Sequence, residues 1–281
     1  MTLTVEQAGP LTTIQDRGRV GLAHLGVPRA GPLDRPAAEL ANRLVGNGPD
    51  AALLEVTGGG LELTSDAGCW VALTGAPAPV HIDAAPRGHG RAEWLPPGGR
   101  LRLGTPRTGV RSYLAVAGGI DVAPVLGSRA TDTLAWVGPP LVATGTELPV
   151  GHPAGPPAAL DTPRPPMPGP LRVVRGPRAD WFTKDALDRL CSAPYRVGTD
   201  SNRVGLRLEG AAPRRARDDE LPSEGMVLGA VQVPPDGQPV VFLADHPPTG
   251  GYPVLAVVDP RDLWWCGQVR PGEELRFVRA G

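Results

Sequence analysis

Two predicted loops each bring an acid, an amide and an arginine together within five residues. The six side chains are Gln15, Asp16 and Arg19 in the first loop and Asp200, Asn202 and Arg203 in the second. A planar guanidinium beside an acid and an amide can clamp a carboxylate, a phosphate or an amide group. The alternative is an Asp–Arg pair that fixes a β-turn. Glycine lets the main chain approach a ligand closely, so the many glycines favour binding at the first loop, whereas the second is evenly balanced.

The segment 243–253 is the next candidate for a binding site. Asp245 ends an apolar run, a place from which side chains commonly project into a site. The residues of interest after it are Thr249, Gly250, Gly251 and Tyr252. Consecutive glycines can expose main-chain N–H groups as a nest that binds anions. Hairpin chemistry would explain the glycines but not the acid, threonine and tyrosine together, so we favour a functional role.

Glu224 is a third candidate, because Pro222 and Gly225 flank it in a short loop. Such a loop can position a carboxylate as a general base. A solvated turn explains the same residues, and the residue types alone favour the turn slightly.

Motifs for metals and for covalent catalysis are missing from the sequence. The five histidines lack the spacing of metal ligands, so we predict no metal site. The three cysteines are odd in number and far apart, which argues against a disulfide framework. Neither a phosphate-binding P-loop nor a Gly-x-Ser-x-Gly nucleophile elbow occurs.

Composition indicates a β protein of two domains. At 281 residues the chain is longer than one hydrophobic core usually serves. Gly and Pro make up about a quarter of it, and short apolar runs lie between them, which is typical of strands and tight turns. A formal net charge of −1 argues against nucleic-acid or anionic-membrane binding. Since no signal peptide or membrane-spanning stretch is evident, we expect a cytoplasmic protein.

Few helices are predicted. The first covers residues 33–44, with Asp34 as N-cap and Pro36 in the first turn. The second covers residues 179–190, with Asp180 as its cap. Nearly everything else reads as strands of four to seven residues.

The chain divides at a proline-rich linker, predicted at residues 151–170. We expect a first β domain at 1–150, with an insertion near 105–150, and a second at 171–281. Three weakly similar segments recur in the same order in both halves, which suggests duplication. One of these matches pairs the loop at residues 15–22 with residues 199–206.

A family resemblance covers nearly the whole chain. It is carried by Thr12–Asp16 with Gly18-Arg19, by 26–34 and 41–47, and by 115–121 and 126–132; the later segments are 223–225, 248–253 and Gln268. These motifs resemble the C component of 5-oxoprolinase, also called KipA, a family that matches the second half of the carboxyltransferase domain of urea carboxylase. The resemblance implies two cyclophilin-like β-barrels in tandem, with few short helices.

The resemblance also implies a function in a complex. Family members pair with a KipI-like B component of 5-oxoprolinase and, together with a separate A component, resemble the ATP-dependent enzyme that opens the lactam of 5-oxoproline to glutamate. Phosphorylation of the amide oxygen by ATP would make the ring carbon attackable, which requires positive charge and a carboxylate clamp. ATP, with Mg²⁺ as its companion ion, is therefore expected.

Residue roles follow from that chemistry as hypotheses. Arg19, Arg203 and the nest at 249–251 are candidates for holding the phosphoryl group and the substrate carboxylate, while Asp16 and Asp245 would hold Mg²⁺ or orient the arginines. The catalytic candidates are Asp16, Arg19, Glu224 and Asp245. The substrate-binding candidates are Gln15, Asp34, Asn42, Asp200, Asn202, Arg203, Thr249, Gly250, Gly251, Tyr252 and Gln268.

Two other functions stay open. One is carboxyl transfer from carboxybiotin to urea or another amide; since no biotin-accepting Met-Lys-Met segment occurs, the carrier would be another chain. The other is a non-catalytic, KipA-like regulator that binds an inhibitor of a sensor kinase. The sequence also departs from the family pattern at Ala30, Ala130 and Pro247. Pro247 stiffens its loop, which leaves a substrate other than 5-oxoproline open.

Overall fold

The computed structural model describes residues 1–157, 167–217 and 219–281, and these form two compact units. The first unit contains Met1–Val20, Ala30–Asp132 and residues from Trp136 to 157. The second contains Gly21–Arg29, Thr133–Ala135 and the described residues from 167 onward. The predicted first domain had included both short segments of the second unit. Residues 158–166 of the predicted linker lie outside the described residues, and the predicted boundaries stay predictions.

Both units are mainly β, as predicted. The strands of the first unit are β1 (Thr2–Ala8), β2 (Leu11–Gln15), β3 (Leu53–Thr57), β4 (Leu61–Ser65), β5 (Cys69–Gly75), β6 (Val80–Ile82), β7 (Ala85–Arg87), β8 (Ala92–Leu95), β9 (Arg100–Leu103), β10 (Arg111–Val116) and β11 (Glu147–Pro149). Those of the second are β12 (Leu171–Arg175), β13 (Tyr195–Val197), β14 (Gly205–Glu209), β15 (Glu224–Gly225), β16 (Ala230–Gln232), β17 (Val240–Phe242), β18 (Thr249–Gly250), β19 (Val254–Val258), β20 (Glu274–Leu275) and β21 (Phe277–Arg279).

Helices in the described residues are few and short. The α-helices are α1 (Arg35–Leu44), α2 (Ala186–Ser192) and α3 (Leu263–Cys266), and the 3-10 turns are Ala23–Leu25 and Ala179–Trp181. None of the helices is long and apolar enough to cross a membrane.

The first unit is built from two antiparallel sheets, with strand orders β11-β1-β4-β9-β6-β7 and β2-β3-β10-β5-β8. Alternate residues of β1 and β4 are buried, so each strand turns one face to the core. Both sheets supply this core, for example through Val5 and Leu63 from one and Leu54 and Leu114 from the other. Residues 105–150, expected as an insertion, include β10, which lies between β3 and β5 and completes its sheet.

Helix α1 has the predicted N-cap and the predicted end at Leu44, because its cap is local in sequence, but it begins at Arg35 and not at residue 33. The Asp34 carboxylate accepts a hydrogen bond from the Ala37 N–H, and Pro36 occupies the first turn, where no helical N–H partner is needed. Ala38, Ala41 and Leu44 turn inward and pack with the sheet residues of a second apolar cluster. This packing places the loop before α1 over the sheet.

The second unit contains an eight-stranded sheet of order β20-β13-β14-β17-β16-β19-β12-β21. Its two edge strands, β20 and β21, are separated in sequence by Arg276 alone. Because one residue of chain joins the two edge strands, the edges lie close together, and the sheet is nearly closed into a barrel. Strands β15 and β18 pair with each other as a separate two-stranded ribbon.

The predicted helix at 179–190 is wrong in its first half. Ala179–Trp181 forms a single 3-10 turn, and α2 begins only at Ala186, after Asp185 rather than Asp180. Phe182 is extended and pairs with Arg215 as an isolated β-bridge, while the Thr183 N–H donates to the Arg214 carbonyl. Pairing with a segment about thirty residues further on thus overrides the local helical pattern.

Candidate functional site

In the first unit, the opening loop is fixed by its own polar side chains. Gln15 is fully buried; its Nε2 donates to Thr13 Oγ1 and to the Thr131 carbonyl, both at 3.0 Å, and its Oε1 accepts from the Gly31 N–H at 3.1 Å. Every polar group of this amide is therefore engaged within the unit. Gln15 joins the start of the loop to two other segments.

The carboxylate of Asp16 is occupied in the same way. Oδ1 accepts from the Gly18 N–H at 2.9 Å and from the Ser128 hydroxyl at 2.5 Å. Oδ2 accepts from the Arg129 N–H at 2.6 Å. Three donors from the chain itself thus surround this half-buried acid, which ties the loop to residues 128–129.

Arg19 is buried against main-chain carbonyls. Its Nε donates to the Val125 carbonyl at 3.2 Å and its Nη2 to the Ala130 carbonyl at 2.7 Å. Gly138 is required beside it: its φ is +108°, and a Cβ there would lie 2.4 Å from Arg19 Nη2 and 2.2 Å from the Ala130 oxygen. The guanidinium holds the 125–130 segment in place.

Asp34 and Asn42 also have structural partners. The Asp34 N–H donates to the Tyr113 hydroxyl at 2.7 Å, and that hydroxyl donates to Glu55 Oε2 at 2.9 Å. Burial, reinforced by the nearby carboxylates of Glu55 and Asp34, raises the pKa of Tyr113 well above its ordinary value. Asn42 Nδ2 donates to the Ala51 carbonyl at 2.8 Å.

One shallow pocket collects three of the predicted residues. Gln15, Asp16 and Asn42 line it, together with the exposed ion pair of Arg35 and Glu39.

The sequence analysis missed Glu55 and Tyr113. An acid inside the apolar run Leu53–Val56 was a usable signal, because a buried acid requires partners.

In the second unit, Arg203 and Asp245 form a fully buried ion pair. Arg203 Nε donates to Asp245 Oδ2 and Nη2 donates to Oδ1, both at 2.9 Å, and the side chains are 1% and 0% exposed. Thr133 adds its N–H and its hydroxyl to Oδ2, at 2.9 and 2.7 Å. Asp245 therefore pairs with an arginine, and its predicted role in catalysis stays a prediction.

The other members of the second trio do not join this pair. Asp200 and Asn202 are exposed, and Asn202 Oδ1 accepts from the N–H groups of Val204 and Gly205 at 2.8 and 3.3 Å. This arrangement is an Asx-turn formed by Asn202, not the Asp–Arg pair of the turn interpretation. Arg203 finds its carboxylate partner 42 residues away, not in its own loop.

Glu224 lies on the ribbon of β15 and β18, where it is paired with Gly250, while Gly225 is paired with Thr249. Arg178 holds Glu224 through two donors: its Nε donates to Glu224 Oε1 at 2.7 Å, and its Nη2 donates to the same oxygen. These bonds raise the pKa of Arg178. Sequence reasoning missed Arg178, because it lies 46 residues before its partner and no local pattern links the two.

The predicted anion-binding nest at 249–251 is wrong. Gly250 belongs to β18, and neither Gly250 nor Gly251 has the positive φ that such a nest contains. Gly250 is needed for another reason: a Cβ there would lie 3.0 Å from Gln232 Nε2 and 3.3 Å from Met226 Cγ. The part of these residues in substrate binding stays a prediction.

Gln232 forms the wall behind the ribbon, and sequence reasoning missed it. Its Nε2 donates to the Tyr252 carbonyl at 3.0 Å and contacts Met226 Sδ at 4.0 Å. Tyr252 is 45% exposed, whereas Gln268, which follows α3, is buried. His246 is also buried, with its ring stacked on Phe242 at 5.8 Å between centroids. The ribbon thus pairs Glu224 with Gly250, and Tyr252 follows two residues later.

The acids predicted for Mg²⁺ do not fit that ion as arranged. All four carboxylate oxygens of Asp16 and Asp245 accept hydrogen bonds from N–H or O–H donors, which a cation would have to displace. Within the described ranges 1–157, 167–217 and 219–281, no group of three or more His, Cys, Asp or Glu residues could hold a metal ion.

Known proteins similar to the chain fall into two groups. The family model named carboxyltransferase domain, subdomain A and B, matches residues 25–279. The C component of 5-oxoprolinase from Escherichia coli (strain K12) is 38% identical over 99% of this chain and 91% of its own length. The crystal structure of TTHA0988 matches 99% of the chain with 42% identity and a TM-score of 0.88, and that of the K. lactis urea amidolyase matches all of it with 28% and 0.91. The chain spans 55% and 19% of those two proteins.

Proposed function

Because the chain belongs to the family of the carboxyltransferase domain, subdomains A and B, we propose that it is the C component of an ATP-dependent 5-oxoprolinase. The match over residues 25–279 confirms the family predicted from the sequence. In the proposal the chain acts in the cytoplasm with a KipI-like B component and an A component, each a separate polypeptide. Together they open the lactam of 5-oxoproline to glutamate.

The observation that carries this proposal is the end-to-end match to one 5-oxoprolinase component. The chain covers 91% of that E. coli protein but only 17% of the urea amidolyase of Lachancea kluyveri. A match that covers nearly all of one 5-oxoprolinase component supports the assignment of the chain to that component.

In this proposal the substrate lies at the ribbon of β15 and β18. A lactam is a poor electrophile, and ATP supplies the activation by phosphorylating its amide oxygen. The residues of this chain would bind and orient the ring, and the ribbon offers an acid and an exposed tyrosine, Glu224 and Tyr252. Asp16, Arg19 and the Arg203–Asp245 pair form hydrogen bonds within the chain and support the surrounding loops.

A carboxyltransferase function is the second candidate. It is favoured by the description of the family and by the likeness to urea amidolyase at a TM-score of 0.91. Both candidates process an amide, and they differ in the activating group: a phosphoryl group from ATP in one, a carboxyl group from a carboxybiotin carrier in the other.

The test is an assay of the assembled complex. The chain is co-expressed with a KipI-like B component and an A component, and ATP hydrolysis and glutamate release are measured with and without 5-oxoproline. We expect ATP hydrolysis to rise with 5-oxoproline and glutamate to appear in step. A stable complex without stimulation contradicts the proposal. In that case, carboxylation of urea by a supplied carboxybiotin would favour the second candidate, and inactivity in both assays the regulator.

A further inference from the structure

The grip of Arg178 on Glu224 differs from the other arginine forks of the second unit. In the pairs Arg203–Asp245, Arg172–Asp262 and Arg261–Asp259, the Nε and Nη2 donors reach different carboxylate oxygens. Arg178 instead places both donors on Oε1 of Glu224. No donor from the described residues reaches Oε2, and the Glu224 side chain is 24% exposed. One oxygen of a fixed carboxylate is thus left as an acceptor.

A second acceptor of the same kind lies across Gly250. Gln232 is only 5% exposed, and its amide contacts the Tyr252 carbonyl and Met226 Sδ through Nε2. Its Oε1 accepts no hydrogen bond from any residue that the structure describes, yet this oxygen is not sealed off from solvent. One acceptor of this mostly buried side chain is therefore left open.

The two acceptors flank the same glycine. Glu224 stands directly opposite Gly250 in the ribbon, and opposed residues of an antiparallel pair point to the same face. On that face, a Cβ at Gly250 would come within 3.0 Å of the Gln232 amide. Because Gly250 carries no side chain, the Gln232 amide packs close to the ribbon beside Glu224, and two open acceptors require a ligand with N–H donors.

We propose that this face of the ribbon is the subsite for the amide N–H of the substrate, with Glu224 Oε2 and Gln232 Oε1 as its acceptors and Arg178 as the residue that positions Glu224. The ligand class is an amide that carries at least one N–H, such as a lactam. This assignment deepens the proposed function and rests on it for the identity of the amide. A hydrogen bond to an ionised acceptor is stronger than one to a neutral acceptor, so Glu224 contributes more than Gln232.

The experiment compares each amide with its N-methylated form. Binding of 5-oxoproline and of 1-methyl-5-oxoproline to the full chain, in complex with its co-expressed partner, is measured by calorimetry. The wild type should bind the N–H form more tightly. Glu224→Ala should weaken 5-oxoproline binding by about 10-fold to 100-fold, and Gln232→Leu by about 5-fold. Both variants should reduce the preference for the N–H form.

Arg178→Gln tests positioning, and Arg172→Gln is the matched control. Both variants remove a fork to a carboxylate in the same unit, but Arg172 engages both oxygens of Asp262, away from the ribbon. We expect Arg178→Gln to raise KM for the amide with a smaller change in kcat, Arg178→Lys to recover part of the loss, and Arg172→Gln to leave KM within about 2-fold. A purely structural role of Arg178 would leave the N–H preference unchanged.

The outcomes separate this inference from the proposed function. If the complex opens 5-oxoproline but Glu224→Ala and Gln232→Leu leave the N–H preference intact, the subsite is overturned and the function stands. If the complex binds urea in preference to tetramethylurea, loses that preference in both variants and ignores 5-oxoproline, the subsite stands and the function falls. Failure to bind either 5-oxoproline or urea overturns the subsite.

Discussion

Two half-buried acids, Asp16 in the first unit and Glu224 in the second, show how differently similar residues are used. Asp16 accepts three hydrogen bonds from its own chain through both oxygens. Glu224 is held through Oε1 alone. The loop that is richer in polar residues and glycine is therefore the more fully saturated. A loop dense in polar residues can serve to hold the fold together. An acceptor oxygen that the fold leaves without a donor is the better indication of a binding site.

The same contrast separates the arginines. Arg203 is 1% exposed, and together with Thr133 it occupies both carboxylate oxygens of Asp245. The Arg178 side chain is 40% exposed and bonds only one carboxylate oxygen of Glu224. Removing one partner of a buried ion pair is strongly destabilising, because the remaining charge is left away from water without a partner. Removing one partner of a partly exposed pair costs little stability, because water solvates the remaining charge. Substitutions in the two kinds of pair should therefore differ widely in their effect on stability.

Loss of Arg203 should have the largest effect. Arg203→Leu leaves the Asp245 carboxylate, which is fully buried, with Thr133 as its remaining donor. We expect the free energy of unfolding to fall by about 3–5 kcal/mol, measured by urea denaturation. Asp245→Leu added to Arg203→Leu should recover part of the loss, because no charge is then stranded. If the single variant lost less than about 1 kcal/mol of unfolding free energy, the buried pair would matter no more than an exposed ion pair.

Asp16→Ala should have the second largest effect. It removes the acceptor of two N–H groups and of the Ser128 hydroxyl, so we expect a loss of about 2 kcal/mol in the same denaturation. Ser128→Ala is the smaller matched change, because it removes one of these bonds and should cost about 1 kcal/mol. Equal stability of Asp16→Ala and the wild type would show that the loop does not depend on its acid.

Tyr113 should make the framework of the first unit sensitive to alkali. Its pKa is raised well above the ordinary value by burial, so the folded state keeps a proton that the unfolded chain releases above about pH 10. Stability should therefore fall with rising pH from about pH 10 upward, by about 1.4 kcal/mol per pH unit for this group. Tyr113→Phe should show a shallower decline in pH-dependent denaturation, and an unchanged decline would exclude Tyr113 as its source.

Glu224→Ala should have the smallest effect on stability. Its partner Arg178 is exposed enough for water to replace the lost bonds, so the urea midpoint should stay close to that of the wild type. The same measurement on Asp16→Ala gives the contrast. A drop in midpoint as large as that of Asp16→Ala would make Glu224 part of the framework and remove the distinction between the two acids.

Local patterns determined what the sequence could predict. Strands such as β4 and β9 could be predicted because apolar residues alternate with polar ones and so become buried on one face. Helix α1 could be predicted because its cap, Asp34, lies only three residues from its partner Ala37. The second helix failed because Phe182 pairs with Arg215, far along the chain. The candidate site was only partly predictable for the same reason: Glu224 and Gly250 were singled out from their loops, and their roles stay predictions. Arg178 and Gln232 acquire their meaning only when the fold brings them to the ribbon.

One thermal unfolding series tests whether Asp16 supports the fold while Glu224 meets the ligand. The complexes of Asp16→Ala, Glu224→Ala and the wild type are melted with and without saturating 5-oxoproline. We predict that Asp16→Ala lowers Tm but keeps the ligand-induced rise, because bound ligand stabilises the folded state by mass action. Glu224→Ala should keep Tm and show a much smaller rise, because its affinity for 5-oxoproline is lower. An undiminished rise in Glu224→Ala together with a lost rise in Asp16→Ala would show the opposite division of roles.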